Sequence, residues 1–179
     1  MDWYAIFKFL HVVAAVCWVG GGVVLMYQGL VAARANDTSA QMVVVKQTAG
    51  LTNNWFIPAS MATLIFGAIT ATLGGNWSEA WVVLGLAGFA ATFCTGFFGI
   101  RPLAESIAKA ESEGRNAGDY GGKMLQIAKF DYVMLFTVIA DMVLKPQWSD
   151  LVTLGVMAVV LAVGAVLFLL PGLRPAAAT

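Results

Sequence analysis

Leu151-Val152-Thr153-Leu154-Gly155-Val156-Met157-Ala158-Val159-Val160-Leu161-Ala162-Val163-Gly164-Ala165-Val166-Leu167-Phe168-Leu169-Leu170 contains no ionisable side chain. An α-helix needs about 20 predominantly apolar residues to cross a bilayer core. The run does not alternate with period two, so it reads as a helix and not as a barrel strand. With nothing charged to present to water, it should face lipid over much of its circumference.

Four more runs of similar character lie upstream, at about 3–33, 55–73, 81–100 and 124–144. The first is longer than a bilayer requires, so it should tilt or project. It is also too long for a signal peptide, starts acidic and carries a histidine, which makes it a retained helix. An amphipathic stretch, 42–51, leads into the second, where Asn53 is a good N-cap and Pro58 removes a backbone donor and can kink the helix. Gly74-Gly75, Arg101-Pro102, Gly121-Gly122, Lys145-Pro146 and Pro171-Gly172 punctuate the runs as turn and stop signals. Composition agrees: 60% hydrophobic and 11% charged, with a mean hydropathy of +0.81, is more apolar surface than a soluble core of this length can bury. The expected fold is all-α, a polytopic membrane helical bundle of five transmembrane helices forming a single domain over 1–179. Its partner is the lipid bilayer. A net charge of zero argues against nucleic acid.

Basic residues set the expected orientation. Arg34, Lys46, Arg101, Lys109, Arg115, Lys123 and Arg174 fall on one side of a five-span chain, and Lys145 is the sole basic residue in the loops of the other. The positive-inside rule puts the C-terminus in the cytoplasm and the N-terminus outside, with Trp3, Trp77, Trp81 and Trp148 as an outer aromatic belt. The 103–111 segment has helical spacing and a Glu105–Lys109 pair, and should continue the third span as a cytoplasmic extension as far as Gly114.

Ionisable groups inside hydrocarbon are costly and point to function. Lys8 and His11, the only histidine, lie three residues apart and share a face of the first helix with Ala14, Ala15 and Trp18. His11 should lie ~12 Å below the outer end of its helix, while Lys8 is shallow enough to snorkel. Gly20-Gly21-Gly22 would let another helix or a flat cofactor approach the backbone. Asp141 on the fourth span lies near the same outer side. It could pair with Lys145 one turn on, with Lys8, or with the second nitrogen of His11, whose tautomer it would then fix. Asp131 could answer Arg101. Cys17 and Cys94 are expected at matched depth, as small apolar residues or as a soft metal site. Gly88, Thr92 and Gly96, with Ala91, Thr95 and Gly99 beside them, form a small-residue stripe suited to close packing inside the protomer.

The stretch Lys8-Phe9-Leu10-His11-Val12-Val13-Ala14-Ala15-Val16-Cys17-Trp18-Val19-Gly20-Gly21 resembles the opening helix of the copper-resistance D (CopD)-like bacterial membrane proteins. It is also similar to that of the HemJ-like membrane protoporphyrinogen oxidases, with their Lys-x-x-His and later Trp and Gly. From Asn54-Trp55-Phe56-Ile57-Pro58-Ala59 through Arg101-Pro102 the chain resembles an uncharacterised family of predicted integral membrane proteins in the same group. The resemblance implies a multi-pass protein of the bacterial inner membrane that binds haem b. His11 is its metal ligand, Lys8 engages a propionate, and Trp18, Gly21 and Asp141 line the site. HemJ-like chains carry an arginine later in this helix, where Leu25-Met26-Tyr27 stands here, so the resemblance stops short of porphyrinogen oxidation. One histidine supplies one axial ligand. A bis-histidine haem would need a homodimer, and otherwise the site is five-coordinate or takes methionine or water.

Three functions follow as expectations. The first is a haem b or related tetrapyrrole protein for redox or tetrapyrrole handling, such as a membrane oxidoreductase with an electron-transfer or membrane partner. The second is a proton or metal-ion (copper) transporter or channel using Lys8, His11 and Asp141. The third is a structural accessory subunit. Polar residues thin out between Asp131 and Asp141, which favours the cofactor over a path through the bilayer.

Overall fold

The structure, a computed structural model, describes residues 1–114 and 118–173; Arg115 and Arg174 lie outside the described residues. The described residues form helices joined by short turns, with no strand among them. Helix α1 covers Trp3–Arg34, α2 Thr38–Leu51, α3 Ile57–Gly74, α4 Ala80–Cys94, α5 Arg101–Ser112, α6 Gly118–Leu144, α7 Leu151–Gly164 and α8 Leu170–Leu173. Four continuous rods are long and apolar enough to cross a membrane: Trp3–Arg34, Thr38–Gly74, Ala80–Ala110 and Leu151–Leu173.

The fifth long helix, α6, differs because Lys129, Asp131 and Asp141 interrupt its apolar run. It is also the centre of the bundle, packing on α1, α4, α5, α7 and α8. Small residues on those neighbours make room for it. Val138 fills the space at Gly88, Tyr132 meets Gly22, Met142 meets Gly85, and Ile127 is wedged between Gly99 and Gly172. The Gly88–Thr92 stripe therefore packs inside the protomer against α6, while a Cβ on Gly96 would meet nothing within 4 Å. The outer surfaces of α7 and α1 expose Val152, Val156, Val159, Val163, Val12, Val16 and Val24, the side chains that lipid rather than water tolerates in such density.

Asp2 and Asp37 cap α1 and α2 by accepting from the amides of Ala5 and Ala40 at 3.1 and 2.9 Å. Asn53 is not a cap. It lies inside a π-helical turn, Thr52–Phe56, through which α2 runs unbroken into α3. Two more π turns, Thr95–Ile100 and Ala165–Leu169, join α4 to α5 and α7 to α8. Each is followed two residues on by proline: Pro58, Pro102 and Pro171. A proline ring collides with the carbonyl four residues back and offers no N–H. Widening the preceding turn to i→i+5 bonding, as from Ile57 N–H to the Thr52 carbonyl, relieves that conflict without ending the helix. Arg101-Pro102 and Pro171-Gly172 thus mark bulges, not stops. The extension beyond the third span does run on to Ser112, and Gly114 adopts a left-handed φ of +66°. Its ion pair is Arg101 to Glu105 at 3.0 Å, not Glu105 to Lys109.

Chain reversal gathers the N-terminus and the 75–79 and 145–150 turns at one end of the bundle. A Cβ on Gly74 would lie 3.0 Å from the Tyr4 ring, and the Trp148 indole donates to the Ser78 carbonyl at 3.2 Å. Gly75, at φ +66°, closes the first of these turns with the left-handed geometry that glycine adopts without strain.

Candidate functional site

Two polar arrangements lie toward that end, a half-buried one between α1 and α3 and a buried one between α4 and α6. In the first, α1 packs along α3, and His11 Nδ1 lies 2.8 Å from the main-chain carbonyl oxygen of Thr63. A carbonyl only accepts, so Nδ1 carries the proton. The Thr63 carbonyl would otherwise bond only within α3. The imidazole reaches it because position 67, one turn on, is glycine. A Cβ there would stand 2.8 Å from Nδ1 and 2.9 Å from Cε1. With its Nδ1 proton engaged by Thr63, the ring has Nε2 as the nitrogen left to bind a metal, the usual arrangement of a ligating histidine.

In the second arrangement Asp141 is 1% exposed. Neither carboxyl oxygen has a hydrogen-bond partner among the described residues. It faces α4, where a Cβ on Gly85 would come 3.7 Å from Oδ2. Lys145 does not pair with it. That residue ends α6 in a left-handed conformation, φ +48°, and its ammonium lies over the Trp81 ring, 4.8 Å from the centroid. Lys8 is exposed and lies 5.9 Å from the centre of the Tyr4 ring, one turn nearer the helix end than His11. Asp141 thus has neither Lys8, His11 nor Lys145 as a partner.

The remaining residues singled out in the sequence have protein neighbours of their own. Trp18 packs edge-on against Phe89 with centroids 5.5 Å apart. Gly21 lies under Trp55, whose Nε1 donates to the Cys17 carbonyl at 3.1 Å. Gly21 and Gly22 are thereby occupied by the indole of Trp55, by Phe56 and by the Tyr132 hydroxyl, while a Cβ on Gly20 would meet nothing within 4 Å. Cys17 and Cys94 are free thiols, and no group of three His, Cys, Asp or Glu capable of holding a metal occurs among the described residues. Asp131 does not answer Arg101. Thr95 of the π turn donates to Asp131 Oδ1, while Arg101 stacks on Phe97, 5.4 Å from its centroid.

Between Asp131 and Asp141 the α4–α6 seam holds the buried hydroxyls of Thr92 and Thr137. Each is turned back on its own helix, donating to Gly88 at 3.0 Å and Val133 at 2.7 Å. Sequence reading missed Thr63, Gly67 and Gly85, and placed Trp81 only in the aromatic belt and Thr95 only beside the small-residue stripe. The contribution of Thr63 is a backbone atom and that of the glycines is space, and neither leaves a residue-type signature.

The fold and its buried charges define the class: an α-helical bundle with the length and apolarity to reside in a membrane. No family model, no curated protein and no solved structure matches the chain.

Proposed function

We propose that the chain is a five-span protein of the bacterial inner membrane, N-terminus outside and C-terminus cytoplasmic, that binds haem b or a related tetrapyrrole through Nε2 of His11. The five-span count includes α6, whose charges face helices rather than lipid. The observation that carries the cofactor reading is the bond from His11 Nδ1–H to the Thr63 carbonyl. Ligating histidines characteristically donate their second nitrogen to a carbonyl or carboxylate, which fixes the ring and strengthens the ligand. His11 fits as the ligand, and Lys8, on the same face one turn outward, fits a propionate. Trp18 and Gly21 are already covered by Phe89 and Trp55, so a bound tetrapyrrole would be held by His11 and Lys8 rather than by Trp18 or Gly21. A bound haem would supply one-electron redox chemistry. The Thr63 carbonyl, accepting from Nδ1, would hold the His11 ring in place for it.

An absorption spectrum of the purified protein, oxidised and reduced, beside His11→Ala tests the reading. A Soret band with α/β bands on reduction, lost in the variant, supports it; a colourless wild type expressed with ample haem removes it. Reporter fusions in the 145–150 turn and at the C-terminus test the orientation.

Asp141 favours a second reading, transport of protons or metal ions. An unpaired carboxylate buried in a bilayer costs several kcal/mol, and such residues mark ion pathways more often than structural contacts. Proton or cation flux into proteoliposomes, compared with Asp141→Asn, tests it.

A further inference from the structure

A carboxylate that is sealed from solvent and has no donor is not tolerated as a bare anion, because desolvation is then opposed by nothing. Asp141 is in that position, so its charge has to be cancelled by another group of the protein, by a metal ion or by a proton.

On α6 itself, Lys145 lies over Trp81. From α1, Lys8 lies over Tyr4 and His11 is bonded to Thr63. At the start of α4, Glu79 is an acid and supplies no cation. Ahead of α7, Asp150 is likewise an acid, and accepts from the Thr153 amide at 3.2 Å. Arg101 and Glu105, on α5, pair with each other beyond the π turn. A metal ion needs several ligands, six to eight oxygens for calcium and four donors for zinc. Asp141 has none beside it but the adjacent thioether of Met142, which meets Gly85. A proton needs one oxygen.

We propose that Asp141 is a proton-binding site gated by Lys145, which leaves the Trp81 ring and pairs with the carboxylate when the proton departs. Geometry places the gate one helical turn from the site on both helices: Trp81 precedes Gly85 by four residues, and Lys145 follows Asp141 by four, its amide bonded to the Asp141 carbonyl at 2.8 Å. In the loaded state a neutral acid lies between α4 and α6 and the ammonium rests on the indole face, held by cation–π attraction. In the unloaded state the proton has left for the aqueous phase and the ammonium neutralises the carboxylate within one helix. Total charge in the site changes only by the proton released. The proposal rests on the second reading above for the location of the site, and it names the cargo and the gate.

The test is labelling of the full-length protein in lipid vesicles with dicyclohexylcarbodiimide, an apolar reagent that adds to protonated carboxyls, followed by peptide mass spectrometry. A difference infrared spectrum against Asp141→Asn reads the acid carbonyl stretch directly. The expected result is an acid carbonyl band lost in Asp141→Asn and label on Asp141. Label should persist in Lys145→Gln and be largely lost in Trp81→Ala, where the ammonium has no ring to rest on. A wild type lacking the acid band, with label or band appearing only in Lys145→Gln, would show a standing Asp141–Lys145 ion pair and overturn the proposal. So would a Trp81→Ala variant that labels like wild type. Flux is judged separately: an acid band without proton flux keeps the site and removes transport.

Discussion

The imidazole of His11 and the backbone of Thr63 are bonded across the α1–α3 contact at 2.8 Å, over the bare Cα of Gly67. Ligand orientation, helix packing and a glycine are thereby coupled at one point.

Gly67→Ala follows as the sharpest probe of that coupling. The new methyl would stand 2.8 Å from Nδ1, so the ring must move and the bond to Thr63 must lengthen. Overpacking of this kind costs about 1–3 kcal/mol. We expect a lower unfolding temperature in detergent and, in haem-loaded protein, a weakened or shifted Soret band. An unchanged band would separate the ring position from cofactor binding.

Asp141→Leu should raise thermal stability while abolishing whatever the carboxyl does. Replacing an unpartnered buried polar group by an apolar one of similar size removes its desolvation cost, which is about 1–3 kcal/mol. Thermal unfolding beside the flux assay checks both halves. A destabilised variant would mean that Asp141 has a partner in the folded bundle.

Thr95 and Asp131 should behave in the opposite way. Thr95→Val removes the donor to a half-buried carboxylate, and stability should fall by about 1–3 kcal/mol. Adding Asp131→Leu should recover much of that loss, since the orphaned acceptor then disappears. A double-mutant cycle in denaturant gives the coupling; additive losses would contradict a direct bond.

Gly172→Ala places a methyl 2.9 Å from Ile127 Cγ1 and 3.4 Å from its amide nitrogen. Backbone cannot yield as a side-chain end does, so the variant should lose about 1–3 kcal/mol. Gly96→Ala, which meets nothing within 4 Å, is the matched control and should unfold as wild type does.

Three prolines mark the limit of reading punctuation from sequence. Pro58, Pro102 and Pro171 signal breaks because each removes an amide donor and clashes one turn back. Whether a helix ends there or widens by one residue depends on what the next segment packs against. Here α3, α5 and α8 each have a neighbour, α1 for the first and α6 for the other two. The helices therefore continue through π turns, and Asn53, which has the chemistry of a cap, lies mid-helix instead.

The long apolar runs by themselves determined the helical class and the positions of the long rods, because without water a backbone can satisfy its polar groups only within a helix. The sequence also singled out Lys8, His11 and Asp141, since charge is conspicuous against hydrocarbon. Only the tertiary structure decided their partners. Sequence spacing makes Lys145 a natural mate for Asp141, yet its left-handed backbone and the Trp81 ring carry the ammonium away. No spacing rule indicates that a main-chain oxygen of α3 takes the His11 proton. Helical periodicity fixes which residues share a face; which face meets which is set by where glycines let two helices close, and at Gly22, Gly67, Gly85 and Gly88 that is a property of pairs of helices.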